Sequence, residues 1–334
     1  MKNIRKYLLL LVLPMLLLVS ACKEDSTTEP TPTPVDESKV LVEYLEANGD
    51  YLNATAPAII SAADVRTLQL TNPTKLHVVD IRSSADFTNK GHIEGAVNVA
   101  VKDIVTYFKN TITPATYEKI AIACYSGQTA GYATALLRLL GYTNVFSLKF
   151  GMSAWNDSVA NSWKPAVGNN YTNFVTTPTD KNPAGNLPTL RTGKTTGKEI
   201  LEARIDSLLK SADPFGDARI TYTTVTGAFS NYYIVNYWPL NHYNLGHLPG
   251  AIQYTPKADL KLSTFLKTLP TNKTVVIYCY TGQTSAQVAT ILKVLGYDAK
   301  SLMFGVSTMN YNLLTTNNLS TWKDTECMYY PFVK

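Results

Sequence analysis

The chain has 334 residues, enough for two domains of ordinary size, and only 16% of them are charged. Its formal net charge is +5, but removing the three N-terminal charges of Lys2, Arg5 and Lys6 from that five leaves +2. The 21 tyrosines and the low charged fraction exclude a disordered chain. The small net charge, without a basic patch interleaved with aromatics, argues against nucleic-acid binding.

Residues 1–21 are typical of a bacterial signal peptide, because a positive segment precedes an apolar run over 7–19 and then small residues. The order Val-Ser-Ala-Cys at 19–22 resembles a lipobox and predicts a lipid on Cys22, which anchors the protein to a membrane. An ordinary signal peptide or an uncleaved anchor is the alternative, but the apolar run is shorter than the ~20 residues that a spanning helix needs. We expect a lipoprotein of the cell envelope, periplasmic or surface-exposed, in the outer membrane.

The segment after the signal peptide is rich in Thr, Pro, Ser and acidic residues, which cannot build a core. We therefore predict a lipidated, flexible tether over 22–50. A second segment rich in Pro, Gly and Asn, 166–195, is predicted to link a first domain over 51–165 to a second over 196–334.

Within each domain, predicted strands alternate with predicted helices. Ser61 is expected to cap the first helix. Such alternation implies parallel crossover units, so we predict an α/β fold with two similar domains, each a mainly parallel sheet with helices on both faces. The main predicted elements are strands at 77–81, 96–99, 119–123, 144–148, 233–237 and 275–278 and helices at 60–68 and 197–212.

The two domains are related by a repeat. Cys-Tyr-Ser-Gly-Gln-Thr at 124–129 recurs as Cys-Tyr-Thr-Gly-Gln-Thr at 279–284, 155 positions later. His92 and His247, each within a Gly-His turn, have the same separation. A period this long indicates duplicated domains, because solenoid repeats run at roughly 20–50 residues.

Cys124 and Cys279 each follow a strand-like run and begin a glycine-containing loop that opens into a helix. Backbone N–H groups converge at such a point, and with the positive end of the helix they favour a thiolate. Gly127 and Gly282 are expected to take positive φ. The alternative for each cysteine is a buried core thiol, but recurrence at equivalent positions favours a reactive role for at least one.

The hydroxyls of Thr129 and Thr284 are expected to donate to a sulfur atom bound at each cysteine and to cap the following helix. Ser126 and Thr281 supply a second hydroxyl in each loop.

Other candidate residues receive structural interpretations. An odd number of thiols, three after Cys22 is lipidated, argues against a disulfide framework, so Cys327 is expected to be a buried thiol or to form a regulatory disulfide with Cys279. Four histidines without metal-ligand spacing indicate no metal site. The remaining expectations are hydrogen bonds within a turn for His92 and His247, a structural ion pair for Asp80 and Arg82, attraction of an anionic donor for Lys149, and a core position for Trp155.

These residues resemble the rhodanese family as a tandem of two modules. The resemblance rests on Val79-Asp80-Ile81-Arg82, Asp86-Phe87, the Gly91-His92 turn, the Cys124 loop and the segment 148–155, most of which recur in the second half. It implies a sulfurtransferase that moves a sulfane sulfur from thiosulfate or a related small donor to a thiol or cyanide. A persulfide on Cys124 or Cys279 is the implied intermediate, and no cofactor is implied. The residues expected to bind substrate are Tyr125, Ser126, Gly127, Gln128, Thr129, Tyr280, Thr281, Gly282, Gln283 and Thr284.

The chain departs from the family pattern at three places. Asn236 and Trp238 replace the Asp-x-Arg pair in the second module, and Phe-Gly at 150–151 and 304–305 replaces Gly-Gly. Tyr125 and Tyr280 stand where enzymes that use thiosulfate often have a basic residue.

Two other functions compete with sulfur transfer. A phosphatase or arsenate reductase needs a longer loop that ends in Arg, whereas Ala130 and Ser285 stand here, so we set it aside. A catalytically degenerate binding or scaffold lipoprotein stays open as the alternative.

Overall fold

Two five-stranded parallel sheets, one in each half of the chain, organise the structure, a computed structural model that describes residues 35–334. The predicted signal peptide, Cys22 and the first part of the tether lie outside the described residues, so their assignments stay predictions. Among the described helices, none is long and apolar enough to cross a membrane.

The first sheet has the strand order β1-β5-β4-β2-β3, which places β4 at its centre. Every pairing in it is parallel, as helical crossovers between strands require. Its strands are β1 (Ile59–Ile60), β2 (Leu76–Asp80), β3 (Val97–Asn98), β4 (Lys119–Ala123) and β5 (Val145–Leu148). The helices of this half are α1 (Glu37–Ala47), α2 (Tyr51–Ala54), α3 (Ala62–Thr71), α4 (Ser84–Lys90), α5 (Ile104–Asn110), α6 (Gln128–Leu139) and α7 (Met152–Trp155).

The second sheet repeats this topology in the order β6-β10-β9-β7-β8, with β9 at its centre. Its strands are β6 (Arg219–Ile220), β7 (Tyr232–Asn236), β8 (Ile252–Gln253), β9 (Thr274–Tyr278) and β10 (Ala299–Leu302). The helices are α8 (Gly197–Leu209), α9 (Tyr222–Thr226), α10 (Leu240–Tyr243), α11 (Gln283–Val294), α12 (Val306–Met309) and α13 (Tyr311–Thr316). The predicted fold class, two α/β units with parallel sheets and helices, is confirmed, and we call the units built on the two sheets the first and second modules.

One part of the predicted tether is wrong. Helix α1 lies inside the segment 22–50, where Asp36 caps it by accepting a hydrogen bond from the backbone N–H of Lys39. Leu41 is fully buried and Val42 nearly so, because α1 packs against α8 of the second module. The composition of the preceding Pro- and Thr-rich segment says nothing about this contact, which is made by residues far away in the sequence.

The two modules are joined mainly by helices α6 and α11, which pack against each other near their N-termini. Gly131 of α6 allows the close approach, since a Cβ there would lie 3.2 Å from the carbonyl oxygen of Gln283. Because α6 and α11 directly follow the two cysteine loops, this packing brings the loops to the same interface.

Two extended segments cross between the modules. The linker (residues 166–195) lies on the second module, where Val175 forms an antiparallel bridge with His247. The tail (residues 327–334) returns to the first module, where Val333 forms an antiparallel bridge with His92. The segment that follows the first module in the chain therefore covers the second module, and the segment that follows the second module covers the first.

Candidate active site

Cys124 and Cys279 lie at the carboxyl ends of the two central strands, β4 and β9, as the sequence predicts. The Cys124 sulfur accepts hydrogen bonds from the backbone N–H groups of Gly127 at 3.1 Å and Ala130 at 3.3 Å. The Cys279 sulfur accepts one from the N–H of Ser285 at 3.4 Å, and its thiol faces the Ser285 hydroxyl at 3.6 Å. Two backbone amides therefore converge on the Cys124 sulfur, whereas one reaches the Cys279 sulfur.

Gly127 and Gly282 shape the loops. Their φ angles are +83° and +77°, so the prediction of positive φ is confirmed. Each glycine is also the N-cap residue of the following helix, α6 or α11, which has no side-chain cap. The predicted capping by Thr129 and Thr284 is wrong, because the turn needs glycine at the capping position and places each threonine inside the helix.

Both sulfur atoms are enclosed, since each cysteine is only 1% exposed. Burial raises the pKa of the Cys124 thiol, whereas the N–H groups of Ala130, Ser126 and Gly127 lower it; the negative charge of Asp80 raises it further. The net direction is upward. The amides thus act on the Cys124 pKa in the predicted direction, but burial outweighs them, so the predicted preference for a thiolate is wrong for this closed arrangement.

The turn that covers each cysteine is held by a glutamine of the opposite module. The Oε1 atom of Gln283 accepts the backbone N–H of Phe150 at 2.7 Å, and Oε1 of Gln128 accepts that of Phe304 at 2.8 Å. The Nε2 atoms of the two glutamines donate to the hydroxyls of Thr281 and Ser126 within their own loops. Gln128 and Gln283, expected from the sequence to bind substrate, thus connect the two cysteine loops.

The two loop tyrosines are half-buried and held in place by different partners. Tyr125 donates its hydroxyl hydrogen bond to Asp86 at 2.6 Å, whereas the Tyr280 hydroxyl pairs with Nδ1 of His242. The Trp238 ring stacks on Tyr280 at a centroid distance of 4.6 Å. Neither loop therefore carries a cation at the position after the cysteine.

The first module contains a buried ion pair that the second lacks. The Arg82 guanidinium contacts the Asp80 carboxylate at 2.6 Å, both side chains are at most 1% exposed, and Arg82 also donates to the Gly91 carbonyl. In the second module, Asn236 donates to the Tyr278 hydroxyl at 2.9 Å instead. A neutral amide and phenol thus replace the ion pair there.

The observed contacts agree with the structural interpretations of His92, His247, Trp155 and Cys327. Nδ1 of His92 and of His247 bonds to the carbonyl oxygen of a nearby residue in its own turn. Lys149 pairs with Glu326 at 2.9 Å, which offsets the charge expected to attract an anionic donor. Trp155 is fully buried, and Cys327 is a buried free thiol in the core of the first module.

Sequence reasoning missed an aromatic cluster beside the loops. Trp163 donates from its indole Nε1 to the carbonyl of Ser126 at 3.1 Å and contacts the rings of Phe150, Phe304 and Trp322. A repeated pattern, Ser-Trp-Lys at 162–164 and Thr-Trp-Lys at 321–323, was the available signal. Within residues 35–334, no three His, Cys, Asp or Glu side chains gather as a metal site would require.

The sequence model of the rhodanese-like domain matches residues 61–158 and 231–308, one range for each cysteine loop. The thiosulfate sulfurtransferase GlpE of Shewanella oneidensis is 32% identical over 94 residues, which make up 28% of this chain and 88% of that protein.

Solved structures are also similar to this chain. A crystal structure of a thiosulfate sulfurtransferase from Pseudomonas aeruginosa is 17% identical, with 90% of this chain and 49% of that one covered and a TM-score of 0.30. The Alr3790 protein from Anabaena is 24% identical, with 29% and 74% covered and a TM-score of 0.27.

Proposed function

Because this chain belongs to the rhodanese family, with one copy of the domain in each half, we propose that it transfers sulfane sulfur through a persulfide on Cys124 or Cys279. The family relationship places it among sulfurtransferase-type proteins. Thiosulfate, after which the Shewanella relative is named, or a related sulfane donor is the proposed substrate, and a thiol or cyanide is the proposed acceptor.

One observation carries this proposal: backbone N–H groups point at a cysteine sulfur at the carboxyl end of a central strand. The thiol of the working cysteine first loses its proton to solvent. The thiolate then attacks the outer sulfur of the donor, and the S–S bond of the donor breaks. From thiosulfate, sulfite leaves with the bonding electron pair, and a cysteine persulfide remains.

The second half of the cycle restores the cysteine. Cyanide or a thiolate attacks the terminal sulfur, the S–S bond of the persulfide breaks, and its electron pair returns to the cysteine sulfur. Loop N–H groups, such as those of Gly127 and Ala130, can stabilise the negative charge that rests on sulfur in both halves. No metal or organic cofactor takes part in this proposed cycle.

Substrate entry requires the enclosure to open. Each loop is closed across the interface by one glutamine-to-backbone hydrogen bond, and a neutral hydrogen bond contributes only about 1 kcal/mol net. Opening of a turn breaks this bond together with the bond from Met152 or Val306 to the cysteine carbonyl, which is a small number of contacts. Tyr125 and Tyr280 stand in place of basic residues, and Lys149 pairs with Glu326, so these positions offer no free cation to the sulfonate of thiosulfate; a polysulfide is therefore a second proposed donor.

A catalytically inactive binding or scaffold protein is the second candidate. Two observations favour it: both sulfur atoms are buried, and Asn236 and Trp238 replace the ion pair in the second module. It predicts that neither cysteine accepts sulfur.

The test is the intact mass of the protein from residue 23 onward after treatment with thiosulfate or with a polysulfide, followed by cyanide. Cys124→Ser and Cys279→Ser variants are treated in parallel. We expect a gain of about 32 Da, one sulfur atom, that cyanide removes and that one substitution abolishes. Absence of any adduct with both donors would refute the sulfurtransferase proposal and favour the binding protein.

A further inference from the structure

The two cysteine loops are connected by reciprocal contacts across the module interface. Gln283, at the start of α11, accepts the N–H of Phe150 at 2.7 Å and touches the backbone of Gly127, where a Cβ would lie 2.5 Å from its Oε1 atom. Gln128, at the start of α6, accepts the N–H of Phe304 at 2.8 Å and meets Gly282 in the same way. Each glutamine thus contacts the cysteine loop of the opposite module.

The turns that the glutamines hold are hydrogen-bonded directly to the cysteines. After Phe150, the N–H of Met152 donates to the carbonyl oxygen of Cys124 at 2.7 Å. After Phe304, the N–H of Val306 donates to the carbonyl oxygen of Cys279 at 3.1 Å. A continuous path of contacts therefore runs from Gln283 to Cys124 and from Gln128 to Cys279.

Both turns have an unfavourable backbone conformation that needs support. Phe150 and Phe304 have φ angles of +59° and +60°, in the left-handed region that a bulky side chain rarely adopts. The cross-module acceptor oxygen binds the backbone N–H of the strained residue itself. Without this acceptor, each turn can relax away from the cysteine that it covers.

We propose that Gln128 and Gln283 are positioning residues, each of which holds in place the turn that closes the cysteine loop of the other module. Each cysteine site is then complete only when the two modules are docked. The inference concerns the cysteines of the proposed function and deepens that function, but thiol alkylation can test it whether or not sulfur is transferred.

The chain contains a matched control, Gln287, one turn further along α11. Gln287 is fully buried at the same interface, and its side chain bonds to the N–H of Ala58 at 3.0 Å, to the Ser147 hydroxyl at 3.3 Å and to the Tyr51 hydroxyl. These partners belong to the first half of the chain and lie outside its cysteine loop. Substitution of Gln287 therefore weakens module docking without removing a loop contact.

The experiment measures alkylation of each cysteine by iodoacetamide in the full, folded chain, resolved by peptide mass spectrometry. We expect Gln283→Leu to raise the rate at Cys124 about fivefold, since losing a hydrogen bond of about 1 kcal/mol changes an opening equilibrium by that factor. Gln128→Leu is expected to raise the rate at Cys279 likewise. The pH midpoint of alkylation at Cys124 should also fall in Gln283→Leu, because opening of the turn relieves the burial that raises the pKa of this thiol.

A positioning role predicts that each glutamine variant changes the cysteine of the opposite module, which a general loss of stability does not predict. Gln287→Leu should change the alkylation rate at Cys124 by less than about twofold. It should leave the pH midpoint of that reaction near the value of the unsubstituted chain. The proposal is overturned if Gln283→Leu changes only Cys279, or if Gln287→Leu changes Cys124 as much as Gln283→Leu does. Failure of both cysteines to accept sulfur would refute the proposed function and leave this result unaffected.

Discussion

Removal of the Arg82 guanidinium should destabilise the protein strongly. In the structure, Arg82 and Asp80 are buried together, and the guanidinium makes three hydrogen bonds of 3.0 Å or less to the carboxylate. Arg82→Met keeps an apolar chain of similar shape but removes all the guanidinium bonds to the carboxylate. Of the bonds between the two residues, only the one from the backbone N–H of position 82 to Asp80 then remains. Breaking such a buried pair from one side costs about 3–5 kcal/mol in the free energy of unfolding.

The second module shows how the same position can be occupied without charge. Asn236 stands where Asp80 stands, and its neighbour Trp238 is apolar apart from one N–H group. We therefore expect Asp80→Asn combined with Arg82→Met to recover at least about 1–2 kcal/mol relative to Arg82→Met alone, since no unpaired charge then stays buried.

Urea denaturation followed by circular dichroism measures all four members of this double-mutant cycle, including Asp80→Asn alone. Equal slopes with denaturant are the control that the unfolded states are comparable. A loss below about 1 kcal/mol for Arg82→Met would contradict the reasoning, because that is the magnitude of an exposed ion pair. The reasoning would also be contradicted if the double variant were no more stable than Arg82→Met.

Two further predictions concern the cysteine loops. Gly127→Ala should cost at least about 2 kcal/mol more than Gly95→Ala, although the two glycines have similar φ of +83° and +81°. A Cβ at Gly127 would lie 2.9 Å from the backbone carbonyl oxygen of Leu148 and 2.5 Å from Gln283 Oε1, whereas a Cβ at Gly95 meets nothing within 4 Å. Thermal unfolding compares them, and equal losses would exclude the steric explanation. Burial raises the pKa of the Cys124 thiol, so the folded state favours the neutral thiol more than the unfolded state does. This contribution to the free energy of unfolding is lost as the pH rises through the pKa of the folded state. The unsubstituted chain should therefore lose more stability than Cys124→Ala between about pH 8 and 10, and a parallel decline would contradict the upward shift.

Sequence alone predicted the features that depend on local chemistry. The strand at 119–123 has the predicted bounds, and Ser61 caps α3 by accepting the N–H of Asp64. The glycine at each loop turn was predictable because few other residues tolerate positive φ. The repeat identified the tandem organisation because both copies kept the same loop and strand pattern.

Features that depend on distant contacts were not predictable in the same way. Strands β1 and β6 have two residues each, too few for a period to emerge. Helix α1 is stabilised by packing on α8, more than a hundred positions later in the chain. The raised pKa of Cys124 arises from burial, and that burial involves the Phe150-Gly151 turn packed over the loop, which the loop sequence alone does not indicate.

The exchange of segments between the modules constrains how the sites can open. In the linker, Tyr171 donates its N–H to the carbonyl of Met309 in the second module, and in the tail, Tyr330 donates its N–H to that of Trp155 in the first. A Trp-Lys pair precedes both segments, so the linker and the tail are equivalent parts of the duplicated unit. The linker follows the first module in the sequence but docks on the second, and the tail follows the second module but docks on the first.

Separating the modules would therefore break both crossing segments, the α6–α11 contact and the core shared between the modules at once. Release of a Phe-Gly turn breaks one cross-module hydrogen bond at 150 or 304 and leaves those contacts intact. Since local opening costs far less than separation, access to the sulfur atoms should come from movement of the turns while the modules stay docked. The duplication then provides a rigid frame, and each half supplies the glutamine that regulates access to the other half's cysteine.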